Sequence, residues 1–409
     1  MNIEEKQQKY PQYGRETPFY KRGKGMEINT MELDGDLEIT SAFECGKGEN
    51  FIRQGKDHFS MELGTDPIPV SEAVPVRGVC VQVTNYGDTR RQARLDVIVH
   101  PILREMNWSY GVKSDYFIKR AGTWTQMPVE KTVPGENIYR LLIDVGPGER
   151  VVVSNEIPYP WSELAGDIQQ LADGHPDRVL LRSYGVSVQG RDLPVLTFGE
   201  REGAPRLAFS CTPQPGEPAA WAVMAIADFL ASDDPDAEEI LSRFVVDLLP
   251  MTNPDGVVAG WNKINAQGVQ PLFEFEKVVA GESDCPEAVL EWEWLTSHVP
   301  EAFAELHVLI KRCADRPPQP YVVDRALYSS QERRALARRM DLAVIGLDPD
   351  GAFRNIEVND AVWKTMLCYQ LAKQQDTMAY LYQIMGLSIE RTQARAVHLL
   401  RAMAGVLAR

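Results

Sequence analysis

Leu207-Ala208-Phe209-Ser210-Cys211-Thr212-Pro213-Gln214-Pro215-Gly216-Glu217 is the stretch on which the fold of this chain turns. It opens as a short apolar run that reads as a buried strand, and a tight Pro-Gly turn follows. Beyond the turn, Trp221, Met224, Ala225, Asp228 and Phe229 recur at helical spacing, with the apolar members forming a core stripe. Strand, turn and helix in that order are the unit of an α/β domain. Open α/β sheets gather ligands beyond the carboxyl ends of their strands, and Glu217 stands at such a junction.

The same grammar extends downstream. Leu180, Arg182 and Tyr184 lead through Val188-Gln189-Gly190-Arg191-Asp192 into Leu193-Pro194-Val195-Leu196, a hairpin. Phe244 to Leu249 reads as a further strand, closed by Pro250 and by the turn Asn253-Pro254-Asp255-Gly256. Phe303-Ala304-Glu305-Leu306 reads as a short strand ending just before His307. Helices are expected from Asp167, over Glu287–His298, and over Arg395–Leu407 with Leu399, Leu400 and Met403 inward. Upstream the period changes to two. Leu37–Thr40, Gly78–Val83, Ala93–Val99 and Arg150–Val153 alternate, with turns at Asn85-Tyr86-Gly87-Asp88 and Pro147-Gly148-Glu149. Closely spaced strands without intervening helices indicate a β-sandwich. The expected organisation is a polar lead-in over 1–25, an antiparallel β-sandwich over 26–157, and an α/β domain with a mixed central sheet flanked by helices over 158–409.

Composition sets the limits on function. With 409 residues, 44% of them hydrophobic and 25% charged, the chain reads as a globular protein of two domains. A net charge of −15 argues against nucleic acid and anionic membrane surfaces as partners. No apolar run reaches the roughly 20 residues of a membrane span, and Met1–Lys24 lacks the apolar core of a signal peptide. A cytoplasmic location is therefore expected. Six cysteines, Cys45, Cys80, Cys211, Cys285, Cys313 and Cys368, are scattered singly, which speaks against a zinc knuckle or a disulfide framework.

Three strand ends carry residues with chemistry: Glu217, His307, and Glu390 after the apolar segment Met385-Gly386-Leu387-Ser388-Ile389. A metal held by a histidine, a carboxylate and a third donor, beside a free carboxylate, is the minimum for metal-assisted hydrolysis. Each residue also has a plain structural reading. His307 could hydrogen-bond at a buried strand end, Glu217 could favour a helix N-terminus, and Glu390 could lie on the surface before the last helix. Cys211 reads as core.

Several segments together resemble the zinc carboxypeptidases, most closely the cytosolic branch, which carries an N-terminal β-sandwich. Pro215-Gly216-Glu217 resembles the end of that branch's His-Pro-Gly-Glu zinc loop. Pro250-Met251-Thr252-Asn253-Pro254-Asp255-Gly256 is similar to its Pro-Met-x-Asn-Pro-Asp-Gly strand end. Leu306-His307 and Ser388-Ile389-Glu390 are similar to its third-ligand and catalytic segments, and Ile39–Gly46 and Gly185–Gly199 to its sandwich opening and its hairpin. The resemblance covers nearly the whole chain beyond residue 30. It implies zinc, with Glu217 and His307 as ligands and Glu390 as general acid/base.

The departures are as informative. Gln214 stands where the family has its first histidine ligand, and an amide oxygen is a poorer zinc donor than imidazole. The family's Gly-Asn-x-Arg becomes Gly260-Trp261-Asn262-Lys263. Its Gly-x-Asp-x-Asn-Arg becomes Gly268-Val269-Gln270-Pro271-Leu272-Phe273. In the family the Asn-Arg pair grips a terminal carboxylate through a bidentate fork. Leu272 and Phe273 carry no charge, and Lys263 lacks the fork. Two functions follow as expectations. One is a metal-dependent hydrolase of peptides or small amides, with Gln214, Glu217 and His307 at a weakened or empty zinc site, Glu390 catalytic, and Lys263, Leu272 and Phe273 at the substrate. The other is a catalytically silent relative that binds a peptide or small molecule in the same cleft.

Overall fold

The structure is a computed structural model that describes residues 31–63, 66, 78–98, 116–129, 138–199, 201–309, 318–348, 353–356, 361–385 and 388–409. The expectations for residues 1–25, Val99, Cys313, Gly386 and Leu387 lie outside them. The chain forms two compact units. One runs to Pro158 and takes in Gly256–Gly268; the other comprises Tyr159–Asp255 and Val269–Arg409.

Among its described residues, the first unit holds ten strands in two sheets: β1 (Met31–Asp34), β2 (Leu37–Thr40), β3 (Glu49–Gly55), β4 (His58–Glu62), β5 (Cys80–Asn85), β6 (Arg91–Ile98), β7 (Tyr116–Arg120), β8 (Thr123–Met127), β9 (Ile138–Val145) and β10 (Arg150–Ser154). Their orders are β1-β2-β5-β10-β7-β8 and β3-β4-β6-β9. The ladders are antiparallel except that between β4 and β6. Alternate residues, among them Leu37 and Ile39, Val81 and Val83, Leu95 and Val97, and Leu141 and Ile143, come from both sheets into one apolar core. That is the period-two pattern realised as a sandwich.

The segment Gly256–Gly268 is fastened to this unit by polar contacts. Asp66 accepts hydrogen bonds from the backbone N–H groups of Asn262 and Lys263, at 2.6 and 2.7 Å, and from the Asn262 side chain. Lys47 donates to Asn262 Oδ1 at 3.3 Å, and the Cys45 N–H donates to the Val258 carbonyl. Gly260 has φ +69°, and a Cβ there would lie 2.1 Å from the Gly46 carbonyl oxygen, so no other residue fits.

Among its described residues, the second unit is built on eight strands: β11 (Val179–Val186), β12 (Asp192–Phe198), β13 (Arg206–Cys211), β14 (Val245–Leu249), β15 (Ala302–Leu309), β16 (Gln319–Val323), β17 (Arg354–Ile356) and β18 (Met378–Met385). They lie in the order β11-β12-β14-β13-β15-β18-β16-β17. The central ladders β14/β13, β13/β15 and β15/β18 are parallel, while β11/β12, β12/β14 and β16/β18 are antiparallel. This is the expected mixed sheet. The helices of this unit include α1 (Trp161–Gly174), α2 (Ala220–Ala231), α3 (Pro235–Arg243), α4 (Phe275–Ala280), α5 (Pro286–Ser297), α6 (Gln331–Gly346), α7 (Leu367–Gln375) and α8 (Ile389–Leu407).

Three boundaries differ from the sequence reading, each for a local reason. α1 begins directly after Pro160, six residues before Asp167, because Leu164 and Ile168 already form a buried pair one turn apart. α8 begins at Ile389, because the Ser388 hydroxyl accepts from the Arg391 N–H and caps the helix ahead of its apolar stripe. β15 continues through His307, because its ladder with β18 runs on to the pair Leu309 and Met385.

The Asn-Pro-Asp-Gly turn is tied to the β11–β12 hairpin by one carboxylate. Asp255 is fully buried and accepts from the Ser187 hydroxyl at 2.7 Å, the Gln189 N–H at 2.8 Å and Arg191 Nη1 at 2.6 Å. Removing one partner of a buried, hydrogen-bonded ion pair is costly because the other loses its compensation. Replacing Asp255 by Ala is expected to lower unfolding free energy by about 3 kcal/mol, read from urea denaturation. A change within experimental error would show that the hairpin turn holds without it.

Candidate functional site

β13 ends at Cys211, and Thr212 takes the left-handed conformation, φ +67°, to turn the chain out of the sheet. A threonine held there is strained by roughly 1–3 kcal/mol, and bonds from the segment after β14 offset it. The Thr252 N–H and hydroxyl both donate to the Cys211 carbonyl, at 3.0 and 3.1 Å, and Asn253 Nδ2 donates to the Pro213 carbonyl at 3.3 Å. The Cys211 thiol donates to the Pro250 carbonyl at 2.8 Å. Burial pushes that thiol well above its ordinary pKa, so it is a protonated core group and a poor metal donor. Within the loop, the Glu217 N–H donates to the Gln214 carbonyl at 3.0 Å, and the Gln214 side chain is buried.

The parallel pairing of Cys211 with Leu306 brings the loop to the end of β15. Glu217 Oε2 lies 2.5 Å from His307 Nδ1, with the imidazole 3% exposed and the carboxylate 17%. His307 Nε2 lies 2.5 Å from Glu305 Oε1, whose side chain is 2% exposed. Burial alone would disfavour a charged imidazole. The two carboxylates outweigh it and push the His307 pKa up to about 10. Two carboxylates thus flank the ring and favour its protonated form.

Of the residues singled out from the sequence, Glu217 and His307 are in direct contact and Gln214 occupies the same turn. Glu390 is exposed in the first turn of α8, where its charge also suits the helix N-terminus. Leu272 is buried and Phe273 half-buried in the single helical turn Pro271–Phe273. Lys263 belongs to the first unit, with its N–H on Asp66. Sequence reasoning missed Glu305, although the signal was available. Residues i and i−2 of a strand share a face, so a strand that presents His307 presents Glu305 beside it.

The second unit has the α/β fold of the carboxypeptidases, a mixed sheet flanked by helices. Residues 165–274 match the zinc carboxypeptidase family. Cytosolic carboxypeptidase 2 of Xenopus tropicalis is 31% identical over 267 residues, which cover 58% of this chain and 27% of that protein. Cytosolic carboxypeptidase 6 of Mus musculus is 31% identical over 118 residues, 27% of this chain and 22% of that protein. The chain thus spans about a quarter of the length of these relatives. The metallo-carboxypeptidase of Burkholderia cenocepacia superposes with a TM-score of 0.71 at 17% identity, over 91% of this chain and 99% of that one. The metallo-carboxypeptidase of Pseudomonas aeruginosa gives 0.70 at 16% identity, over 90% and 99%. At these identities the superpositions establish the fold. The chain carries a zinc carboxypeptidase domain, and cytosolic carboxypeptidases are among its homologues.

Zinc is the metal this family implies, and the donor set tests whether it fits. Glu217 and Glu305 meet opposite ends of the His307 ring, so the three cannot converge on one ion. Among the described residues, no group of three His, Cys, Asp or Glu side chains could hold a metal. Glu217, His307 and Glu305 by themselves therefore do not make a three-ligand zinc centre.

The pH dependence follows from the direction of the His307 shift. Its folded pKa, about 10, lies above the ordinary value of 6.5. The stabilisation is fully present below about pH 6.5 and is lost as pH rises through 10. Denaturation midpoints measured from pH 6 to 10 are expected to fall more steeply for the natural chain than for His307→Gln. Parallel curves would mean that His307 is neutral in the fold.

Proposed function

We propose that this chain is a carboxypeptidase-fold protein that uses its cleft to bind rather than to cleave. In this reading the metal centre has given way to the hydrogen-bonded row Glu217–His307–Glu305. One observation carries it: both ring nitrogens of His307 are engaged by carboxylates at 2.5 Å. Gln214 in place of a histidine and an uncharged Leu272-Phe273 pair support the same conclusion, since ligand set and carboxylate clamp are altered together.

The ligand that suits this cleft is a peptide or small amide with a neutral end. A free carboxylate buried against Leu272 and Phe273 would lack a partner and lose several kcal/mol. The net charge of −15 adds nothing to attract an anion. Among the described residues no helix is long and apolar enough to cross a membrane. With cytosolic carboxypeptidases among the homologues, a cytoplasmic site of action is part of the proposal.

A second reading is favoured by Glu305. A carboxylate on one ring nitrogen of a histidine is the usual way to aim the other at a metal, and here it turns Nδ1 toward Glu217. That arrangement would suit a hydrolase with a weakened metal site, in which Gln214 supplies an amide oxygen and Glu390 moves the proton.

Metal titration separates the two readings. Calorimetry with zinc is expected to give weak or undetectable binding to the natural chain. Gln214→His is expected to strengthen it at least ~10-fold, the gain typical of restoring a good ligand. Peptide pairs differing only in a free or amidated C-terminus should not be cleaved, and Glu390→Gln should change nothing. About one tightly bound zinc per chain, with hydrolysis abolished in Glu217→Gln, would overturn the binding reading and establish the hydrolase.

A further inference from the structure

Beneath the His307 row, four buried polar groups lie within the second unit without a hydrogen-bond partner among the described residues: Tyr184 Oη, Ser210 Oγ, Glu291 Oε1 and Trp294 Nε1. Three of these side chains are nine-tenths buried or more, with Tyr184 9%, Ser210 0% and Glu291 2% exposed. They converge from three elements. Ser210 on β13 pairs with Leu249 on β14 and with Glu305 on β15. Tyr184 on β11 packs against that same Leu249 and against Trp294, at a ring-centroid distance of 6.4 Å. Glu291 and Trp294 are three residues apart on one face of α5. Glu291 is close enough to raise the Tyr184 pKa and to feel the Ser210 hydroxyl, although it makes no direct hydrogen bond of good geometry with either.

The backbone turns Tyr184 inward. The β11/β12 register shifts between Ser183 and Val186, and a bulge of this kind re-aims a side chain. Gly185 at its centre has φ +150°, and a Cβ there would meet Leu290 Cδ1 on α5 at 2.5 Å. A glycine is thus required for the strand to press against the helix where the tyrosine enters.

Four such groups left dry would be a heavy penalty for a fold of ordinary stability. Charge narrows what could satisfy them. An anion is disfavoured by Glu291 and by Glu305 next to it, and the Trp294 N–H, a donor only, cannot coordinate a cation. Burial and Glu305 also push Glu291 up to about 8, toward its neutral acid. A neutral molecule that both donates and accepts fits all four.

We propose that Tyr184, Ser210, Glu291 and Trp294 enclose an internal hydration site, in which ordered water bridges α5 to β11 and β13 and completes the hydrogen bonding of Glu291. A buried water typically makes about three hydrogen bonds, and this lining offers four partners. The site does not depend on whether the cleft above holds a metal.

Two measurements test it. A crystal structure fine enough to resolve ordered solvent is expected to show water within hydrogen-bond distance of Ser210 Oγ and Glu291 Oε1. Empty density, direct pairing among the four side chains, or a bound molecule other than water would overturn the proposal. Independently, Tyr184→Phe preserves the ring and removes only the hydroxyl. If water bridges that hydroxyl, the melting temperature should fall by about 2–4 °C. An unchanged or higher melting temperature would mean that the hydroxyl is unpaired in a dry interior, and would overturn the assignment at Tyr184.

Discussion

Parallel pairing of β13 with both β14 and β15 is the constraint from which the site follows. Because Ser210 is level with Leu249 on one side and with Glu305 on the other, β13 and β14 finish together while β15 runs on past them through His307. The segment after β14 can then hold the turn after β13, through Thr252 and Asn253. That turn delivers Glu217 to His307. A shift of one residue in the β13/β15 ladder would turn Glu305 and His307 to the opposite face of the sheet. The chemistry is thus set by backbone register, and the side chains complete what the register has positioned.

The central row is an economical arrangement of charge. A lone imidazolium or a lone carboxylate at this depth would be driven toward its neutral form. In a row of carboxylate, imidazolium and carboxylate, each buried charge has an opposite neighbour. Glu217 is the more exposed end of the row. Such a row pairs its charges without an ion.

Much of the fold was legible in the sequence because its signals are local. Alternation at Leu37 and Ile39 or at Val81 and Val83 needs only a strand with one buried face, and the strand–turn–helix run at Leu207–Phe229 needs only its own residues. Helix starts were less legible. Capping at Ser388 and burial of Leu164 depend on partners elsewhere, and the apolar stripe marks the middle of a helix better than its ends. At the site, the approach of Glu217 to His307 followed from motif order. Glu305 did not, since motif matching fixed attention on the histidine and passed over its neighbour on the same face. The two asparagines of the Gly256–Gly268 segment were illegible in another way. Asn262 serves Asp66 and Lys47 of a distant stretch, and nothing near it in sequence announces that partnership.

That segment also bears on how the molecule can be divided. It is encoded inside the second half of the chain, yet its hydrogen-bond partners lie among the first sixty-six residues. A cut at residue 158 would leave the α/β half carrying a loop parted from Asp66, Lys47 and Cys45, to which it is hydrogen-bonded in the intact protein. The sandwich half would lose the strand of chain that occupies Asp66 and the Gly46 carbonyl surface. The gene therefore cannot be split into two self-sufficient pieces at its apparent linker. Separation, shuffling or fusion of either half would have to carry the segment across, or supply a substitute for it.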